Sequence, residues 1–242
     1  MFHRTAAGRR LAYERVEGQG PGVVFLHGFK SDMGGTKAVE LEAWCRGEGR
    51  AMLRFDLSGH GASGGRVEAF GVGDWLDDAR DVIEALAPGR QVLVGSSLGG
   101  WLALLLARAQ PARWAGLVTI AAAPDFTARM QAGFSDEDRA ALARDGAVTR
   151  PSEYGEDYVF SRRLFDQGVE NSVFARPLHL PMPARFLQGM ADADVPMKDA
   201  LRLLSHAEGP DIRLTLVKDA DHRFSGPREL RMIREAVAEL AG

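Results

Sequence analysis

Apolar positions along the chain fall into short runs separated by longer stretches with helical spacing. "LAYERVEG" (Leu11–Gly18) alternates in twos, the spacing of a strand with one face in solvent. "VVFLHG" (Val23–Gly28) is a buried strand running into a turn, "TKAVELEAWCRGEG" (Thr36–Gly49) a helix closed by glycine, and "AMLRFD" (Ala51–Asp56) a strand again. "VGDWLDDARDVIEALAPG" (Val72–Gly89) predicts an amphipathic helix that Pro88-Gly89 stops. "QVLVG" (Gln91–Gly95) reads as a strand and Gly99–Gln110 as a helix. "WAGLVTIAA" (Trp114–Ala122), "ARFLQG" (Ala184–Gly189) and "IRLTLV" (Ile212–Val217) predict three more strands, and "GPRELRMIREAVAEL" (Gly226–Leu240) a last helix with Pro227 near its start. This alternation implies an α/β fold, a mostly parallel sheet with helices on both faces.

The rhythm breaks over 125–183, which is polar and mixed and carries scattered aromatics. It is expected to be a small, mainly helical insertion, a lid over one edge of the sheet, with Ser135 capping a short helix in "SDEDRAALARDG". "PLHLPMP" (Pro177–Pro183) is an extended connector back into the core, which comprises 1–124 and 184–242. No repeat or low-complexity segment is evident.

Composition narrows the function classes. The chain has 242 residues, 45% apolar and 26% charged, as suits one globular domain with an insertion. A net charge of −3 without a basic block argues against nucleic acid as a partner. The lone Cys45 excludes an internal disulfide framework and suits a buried apolar site. "WLALLLA" (Trp101–Ala107) is too short to span a bilayer, and the N-terminus lacks a secretory signal, so a soluble, cytoplasmic chain is expected.

The chemistry gathers at "VLVGSSLGGW" (Val92–Trp101), a strand, a sharp turn and a helix. Gly-x-Ser-x-Gly in that setting is a nucleophile elbow. Only Ser97 is flanked by glycine two positions either side, Gly95 and Gly99; Ser96 would have Val94 and Leu98 there. Ser97 is therefore the candidate nucleophile. "GHGASG" (Gly59–Gly64) matches a dinucleotide-binding string, but no helix opens directly from it.

A serine hydroxyl needs a base and an acid that orients it. The expected chain order is serine, acid, histidine. Of the six histidines, only His222 follows the strand "IRLTLV" on a loop before the last helix. His3 reads as part of a frayed terminus, and His27 as a loop anchor. Asp192, in the loop "GMADADVP", is the favoured acid. Asp194 is expected to face solvent or cap the following helix, and Asp125 is a weaker alternative. Oxyanion donors are expected from the amides of Leu98 and Phe29. Met33, Trp101, Phe126, Met130 and Phe134 could line an acyl pocket or simply belong to the core. No cofactor or metal is called for.

"LHGF", "RFDLSGHGAS", "VGSSLGGW", "QGMADADVP" and "DHR" together resemble the α/β-hydrolase superfamily, and with "GTKA" (Gly35–Ala38) the branch of mitochondrial palmitoyl-protein thioesterase and acyl-glucuronide esterase. The resemblance implies Ser97, Asp192 and His222 as a triad. It also implies cofactor-free hydrolysis of thioesters or carboxylic esters, on a small-molecule or acylated-protein substrate. A peptidase on the same fold is the alternative; a non-catalytic binding protein would have lost a triad member. Gln188-Gly189, where many such hydrolases carry His-Gly, is expected to be a minor change away from the chemistry.

Overall fold

The computed structural model describes residues 1–150 and 157–242. In chain order its elements are β1 (Phe2–Arg4), β2 (Arg10–Val16), β3 (Gln19–Leu26), α1 (Thr36–Gly47), β4 (Arg50–Phe55), α2 (Val72–Leu86), β5 (Gln91–Ser96), α3 (Leu98–Ala109) and β6 (Trp114–Ile120). There follow α4 (Phe126–Ala132), α5 (Asp136–Asp145), β7 (Ala147–Arg150), β8 (Tyr158–Ser161), α6 (Arg162–Glu170) and β9 (Leu178–His179). The chain ends with β10 (Ala184–Gly189), α7 (Met197–His206), β11 (Ala207–Glu208), β12 (Ile212–Val217) and α8 (Pro227–Ala241).

Among the described residues, eight strands form the main sheet in the order β1-β2-β4-β3-β5-β6-β10-β12. From β4 to β12 the pairings are parallel, and β2 joins β4 antiparallel. Side chains of a strand alternate between faces, so each buried strand supplies two cores. Val24, Leu26, Leu93 and Leu117 pack with α2 and α3 on one face. Val23, Phe25, Val92, Val94 and Val118 pack with α1 and α8 on the other. α3 is buried almost all round, as its unbroken apolar run requires.

Helices thus cover both faces, as expected, but one local expectation is corrected. His3 is not in a frayed terminus. It lies in β1, and its Nε2 meets Asp81 Oδ1 at 2.5 Å. The segment between β6 and β10 is mainly helical, with α4, α5 and α6, and also holds the antiparallel β7–β8 pair; β9 joins β11. Phe134, Val148, Phe160, Leu164 and Phe165 of this segment belong to the same buried cluster as α2 and α3. Residues 151–156 of the expected insertion lie outside the described residues. Ser135 caps α5 as the spacing predicts, accepting from the Asp138 amide while Asp138 accepts from the Ser135 amide.

"GHGASG" forms a turn around a carboxylate. Asp56 Oδ2 accepts from the Ala62 amide at 2.8 Å, and a Cβ on Gly61 would lie 2.2 Å from that oxygen. This explains its glycine without any phosphate.

Candidate active site

In an open parallel sheet the crevice forms outside strand C-termini where the strand order reverses. Here β3 sits between β4 and β5, so the loop after β3 and the turn after β5 open that crevice. Ser97 follows β5 with φ 53° and ψ −115°, a backbone that side chains rarely adopt. The flanking glycines are required by close approach. A Cβ on Gly95 would lie 2.2 Å from Gly99 O, and one on Gly99 would lie 2.1 Å from Leu26 O. Gly95 therefore lets the elbow close, whereas Gly99 lets α3 dock against the end of β3.

The three residues singled out for nucleophile, base and acid meet. Ser97 Oγ lies 3.1 Å from His222 Nε2, and His222 Nδ1 lies 2.9 Å from Asp192 Oδ2. The acceptor-only carboxylate requires the proton on Nδ1, which leaves Nε2 to accept from the serine hydroxyl. Asp192 Oδ1 accepts from the amides of Asp194 at 2.9 Å and Val195 at 2.8 Å. Burial raises the Asp192 pKa, but the hydrogen bonds from His222, Val195 and Gln188 outweigh it and hold the carboxyl below its ordinary value.

The other acids have different work. Asp194 is exposed, and its carbonyl accepts from Arg129 at 2.6 Å. It does not cap α7, whose N-cap is Pro196. Asp125 accepts from Ser172 Oγ and, at 2.8 Å, from the Val173 amide, pinning the segment after α6. Asp192, Asp194 and His222 carry potential metal-ligand atoms within 4.8 Å of one another. The oxygens of Asp192 and Nδ1 of His222 are already engaged in the hydrogen bonds above, so this donor set is a poor cation site.

Both expected oxyanion residues border the cleft. Among the described residues, neither the Phe29 nor the Leu98 amide donates to another backbone carbonyl. The loop carrying Phe29 comes close to the elbow: a Cβ on Gly28 would lie 3.3 Å from Ser97 Cβ. His27 anchors that loop. Its Nε2 accepts from the Leu57 amide at 3.2 Å, and Nδ1 donates to Gly28 O at 2.8 Å. Ring contacts then run from His27 to His60 at 5.0 Å and from His60 to Trp75 at 5.4 Å.

Burial, above all, pushes both His27 and His60 down to about 4 from an ordinary 6.5. The unfolded chain therefore takes up protons near pH 6.5 that the folded chain refuses until about 4. Each imidazole contributes stability that is complete at neutral pH and is lost as pH falls across that window, about 3 kcal/mol apiece at the limit. Thermal melts should decline already between pH 6.5 and 5, above the ordinary carboxylate range, and His60→Phe should flatten the decline. A melting temperature constant over that interval contradicts this account.

The cleft around Ser97 and His222 encloses about 1190 Å³. Phe126 and Met130 line it, as do Tyr158 and Phe160, which the sequence reading did not single out for the site. Three expected pocket residues do not reach it. Trp101 is fully buried, packs edge-on to Phe126 at 5.7 Å and donates Nε1–H to Asn171 O. Phe134 is buried against Phe165 at 5.3 Å. Met33 serves through its backbone, its amide donating to Asp56 Oδ1 at 2.7 Å. Apolar side chains beside a motif are as often core as pocket; packing made Trp101 and Phe134 core, while Met33 stays half-buried outside the cleft lining.

Of two polar residues near the site, Lys37 escaped the sequence reading and Gln188 was expected to stand away from the chemistry. Lys37, on α1, lines the cleft and donates Nζ–H to Arg223 O at 2.5 Å, tying α1 to the histidine loop. Gln188 is not remote from the chemistry: its amide lies 3.0 Å from Asp192 Oδ2. A polar residue at the end of β10, four positions before the acid, was the signal available.

Comparison with known proteins agrees with this architecture. The model of the family described as "Serine aminopeptidase, S33" matches residues 21–147. The mitochondrial palmitoyl-protein thioesterase ABHD10 of Rattus norvegicus is 34% identical over 92% of this chain and 76% of its own. That of Homo sapiens is 33% identical over 95% and 76%. The crystal structure of an Agrobacterium vitis S4 chain superposes with a TM-score of 0.94 at 38% identity, covering 100% of this chain and 97% of that one. Mouse alpha/beta hydrolase domain-containing protein 10 superposes at 0.92 with 32% identity, covering 99% and 97%. No helix among the described residues is long and apolar enough to cross a membrane. With the sheet order, the elbow and these relatives in agreement, the chain belongs to the α/β-hydrolase superfamily, beside the ABHD10 thioesterases, and is a hydrolase of the ester-bond class.

Proposed function

We propose that the protein is a serine hydrolase that cleaves carboxylic thioesters or esters through an acyl-enzyme. The observation that carries this reading is the hydrogen-bonded series Asp192–His222–Ser97 at a strained turn facing a large cleft. Ser97 Oγ attacks the acyl carbonyl while His222 Nε2 takes its proton. The amides of Phe29 and Leu98 stabilise the tetrahedral oxyanion. The imidazolium, held by Asp192, returns the proton to the leaving thiol or alcohol. Water, activated by the same histidine, then releases the acid from Ser97. The elements between β6 and β10 border the cleft through Phe126, Met130 and Phe160 and act as its lid.

An acylated protein or a small acyl thioester is the substrate class, in line with the palmitoyl-protein thioesterase relatives. The family description favours a second reading, a serine aminopeptidase. Such an enzyme needs anionic groups to hold a free N-terminus. The cleft is lined by Asp32 and Asp194 but also by Lys30, Lys37, Arg129 and Arg223, a balance that disfavours a cationic substrate end. We read the chain as cytoplasmic; the relatives are named mitochondrial, and imaging a tagged full-length protein distinguishes the two.

A fluorophosphonate probe should label Ser97, read by peptide mass. A panel of acyl thioesters and p-nitrophenyl esters of rising chain length should be turned over in preference to amino-acid amides. Preference for the amides, or no turnover across the panel, overturns the thioesterase reading. Met130→Ala should raise KM for long acyl chains by roughly tenfold, the equivalent of about two lost methylene burials, with short-chain kcat nearly unchanged.

A further inference from the structure

We propose that Gln188 is a positioning residue for Asp192, fixing the carboxylate oxygen that faces His222; the inference rests on the triad reading above. Gln188 is 1% exposed, at the end of β10. Its Nε2 has three neighbours: Asp192 Oδ2 at 3.0 Å, Val195 O at 3.0 Å and Gly189 O at 3.1 Å. All three are acceptors, so the orientation of the amide is determined: the NH2 group faces them, and two protons serve three oxygens.

The arrangement closes a ring. Val195 gives its N–H to Asp192 Oδ1 and takes a proton from Gln188 on its own carbonyl. Gln188 in turn gives to Asp192 Oδ2, the same oxygen that takes the His222 proton. Two backbone amides hold one end of the carboxylate and Gln188 holds the other. The plane of the carboxylate, and the direction in which Oδ2 presents itself to the imidazole, are thereby set from both sides. In a buried site these charge-assisted bonds also favour the anion that the imidazolium needs.

Methionine has nearly the same length and volume but no proton to give. In Gln188→Met, Oδ2 keeps only its histidine donor and the Val195 carbonyl is left without its side-chain donor. Loss of one hydrogen bond to a charged group should lower kcat, and the rate of fluorophosphonate labelling of Ser97, by roughly ten- to a hundredfold, with KM unchanged. Because Gln188 acts through Asp192, the same replacement in an Asp192→Asn background should cost nothing further, a non-additivity that a purely structural role would not produce.

If Gln188→Met does not fold, as judged by circular dichroism, Gln188→Glu is read in the same way. It keeps the shape; ionised, it has no donor and sets a second negative charge beside the first, so once the new carboxyl is ionised its loss should be larger than that of Gln188→Met and again confined to kcat. An unchanged kcat, a loss carried by KM, or a loss that adds in full to that of Asp192→Asn overturns the proposal. Failure of the triad reading looks different: the unmodified protein would then escape labelling at Ser97, or Asp192→Asn would turn over at the parent rate.

Discussion

Ser97→Ala should abolish ester turnover, a loss of roughly 10⁶ in kcat by analogy with a serine protease stripped of its nucleophile. The oxygen removed makes one described contact, with His222 Nε2, and the methyl group left behind fits the space the hydroxymethyl occupied. The fold should therefore survive and the melting temperature change little. Ser97→Gly separates strain from chemistry. At φ 53° and ψ −115° any side chain is strained, and glycine should recover about 1–3 kcal/mol. In a chain of this size that corresponds to a rise of about 2–4 °C per kcal/mol. A dead but more stable glycine variant would identify the elbow as a place where stability was given up for reactivity. Turnover by Ser97→Ala at a rate comparable to the parent would instead remove the nucleophile from the mechanism.

Asp192→Asn should lower kcat by about 10⁴, the loss seen when the acid of a serine-protease triad becomes an amide and leaves the histidine in the wrong tautomer. The reason here is geometric. Oδ1 is committed to the amides of Asp194 and Val195, so the new NH2 must occupy the Oδ2 position. There it would face both the His222 Nδ1–H and the Gln188 NH2, donor against donor, leaving unpaired groups that cost about 1–3 kcal/mol of stability. The pH dependence has a definite sign. The Asp192 pKa is lowered on folding, so its contribution to stability is present above the ordinary carboxylate range and is lost as pH falls through its folded value. Asp192→Asn should lose that part of the acid dependence. Asp194→Asn, at an exposed side chain, should leave kcat within a few-fold of the parent, since surface changes of this kind are usually worth about ±0.5 kcal/mol. Equal losses in both variants would reassign the acid.

Gly95, Ser97 and Gly99 were legible because the turn imposes its requirements at fixed spacing, and a requirement at fixed spacing is visible in one dimension. The same holds for the strands, whose faces alternate residue by residue, and for the order in which Ser97, Asp192 and His222 follow their strands. Each is a constraint between neighbours or between successive elements. The amphipathic helices α2 and α8 were readable for the same reason.

What only the tertiary structure decided concerns groups brought together from distant parts of the chain. Trp101 and Phe134 carry nothing in the sequence that separates a core side chain from a cleft side chain; packing against Phe126 and Phe165 makes that separation. His3 gains its ordered place from Asp81, far along the chain. Gln188 reads as an ordinary polar strand end until the loop after β10 folds back and sets three acceptors around its amide. Local sequence thus determined most elements of the main sheet and its covering helices and pointed to Ser97, Asp192 and His222 as candidates, because those follow from backbone geometry and chain order. Which side chains border the cleft and which steady the acid was decided by packing, because burial and hydrogen-bond partners exist only once the chain has closed on itself.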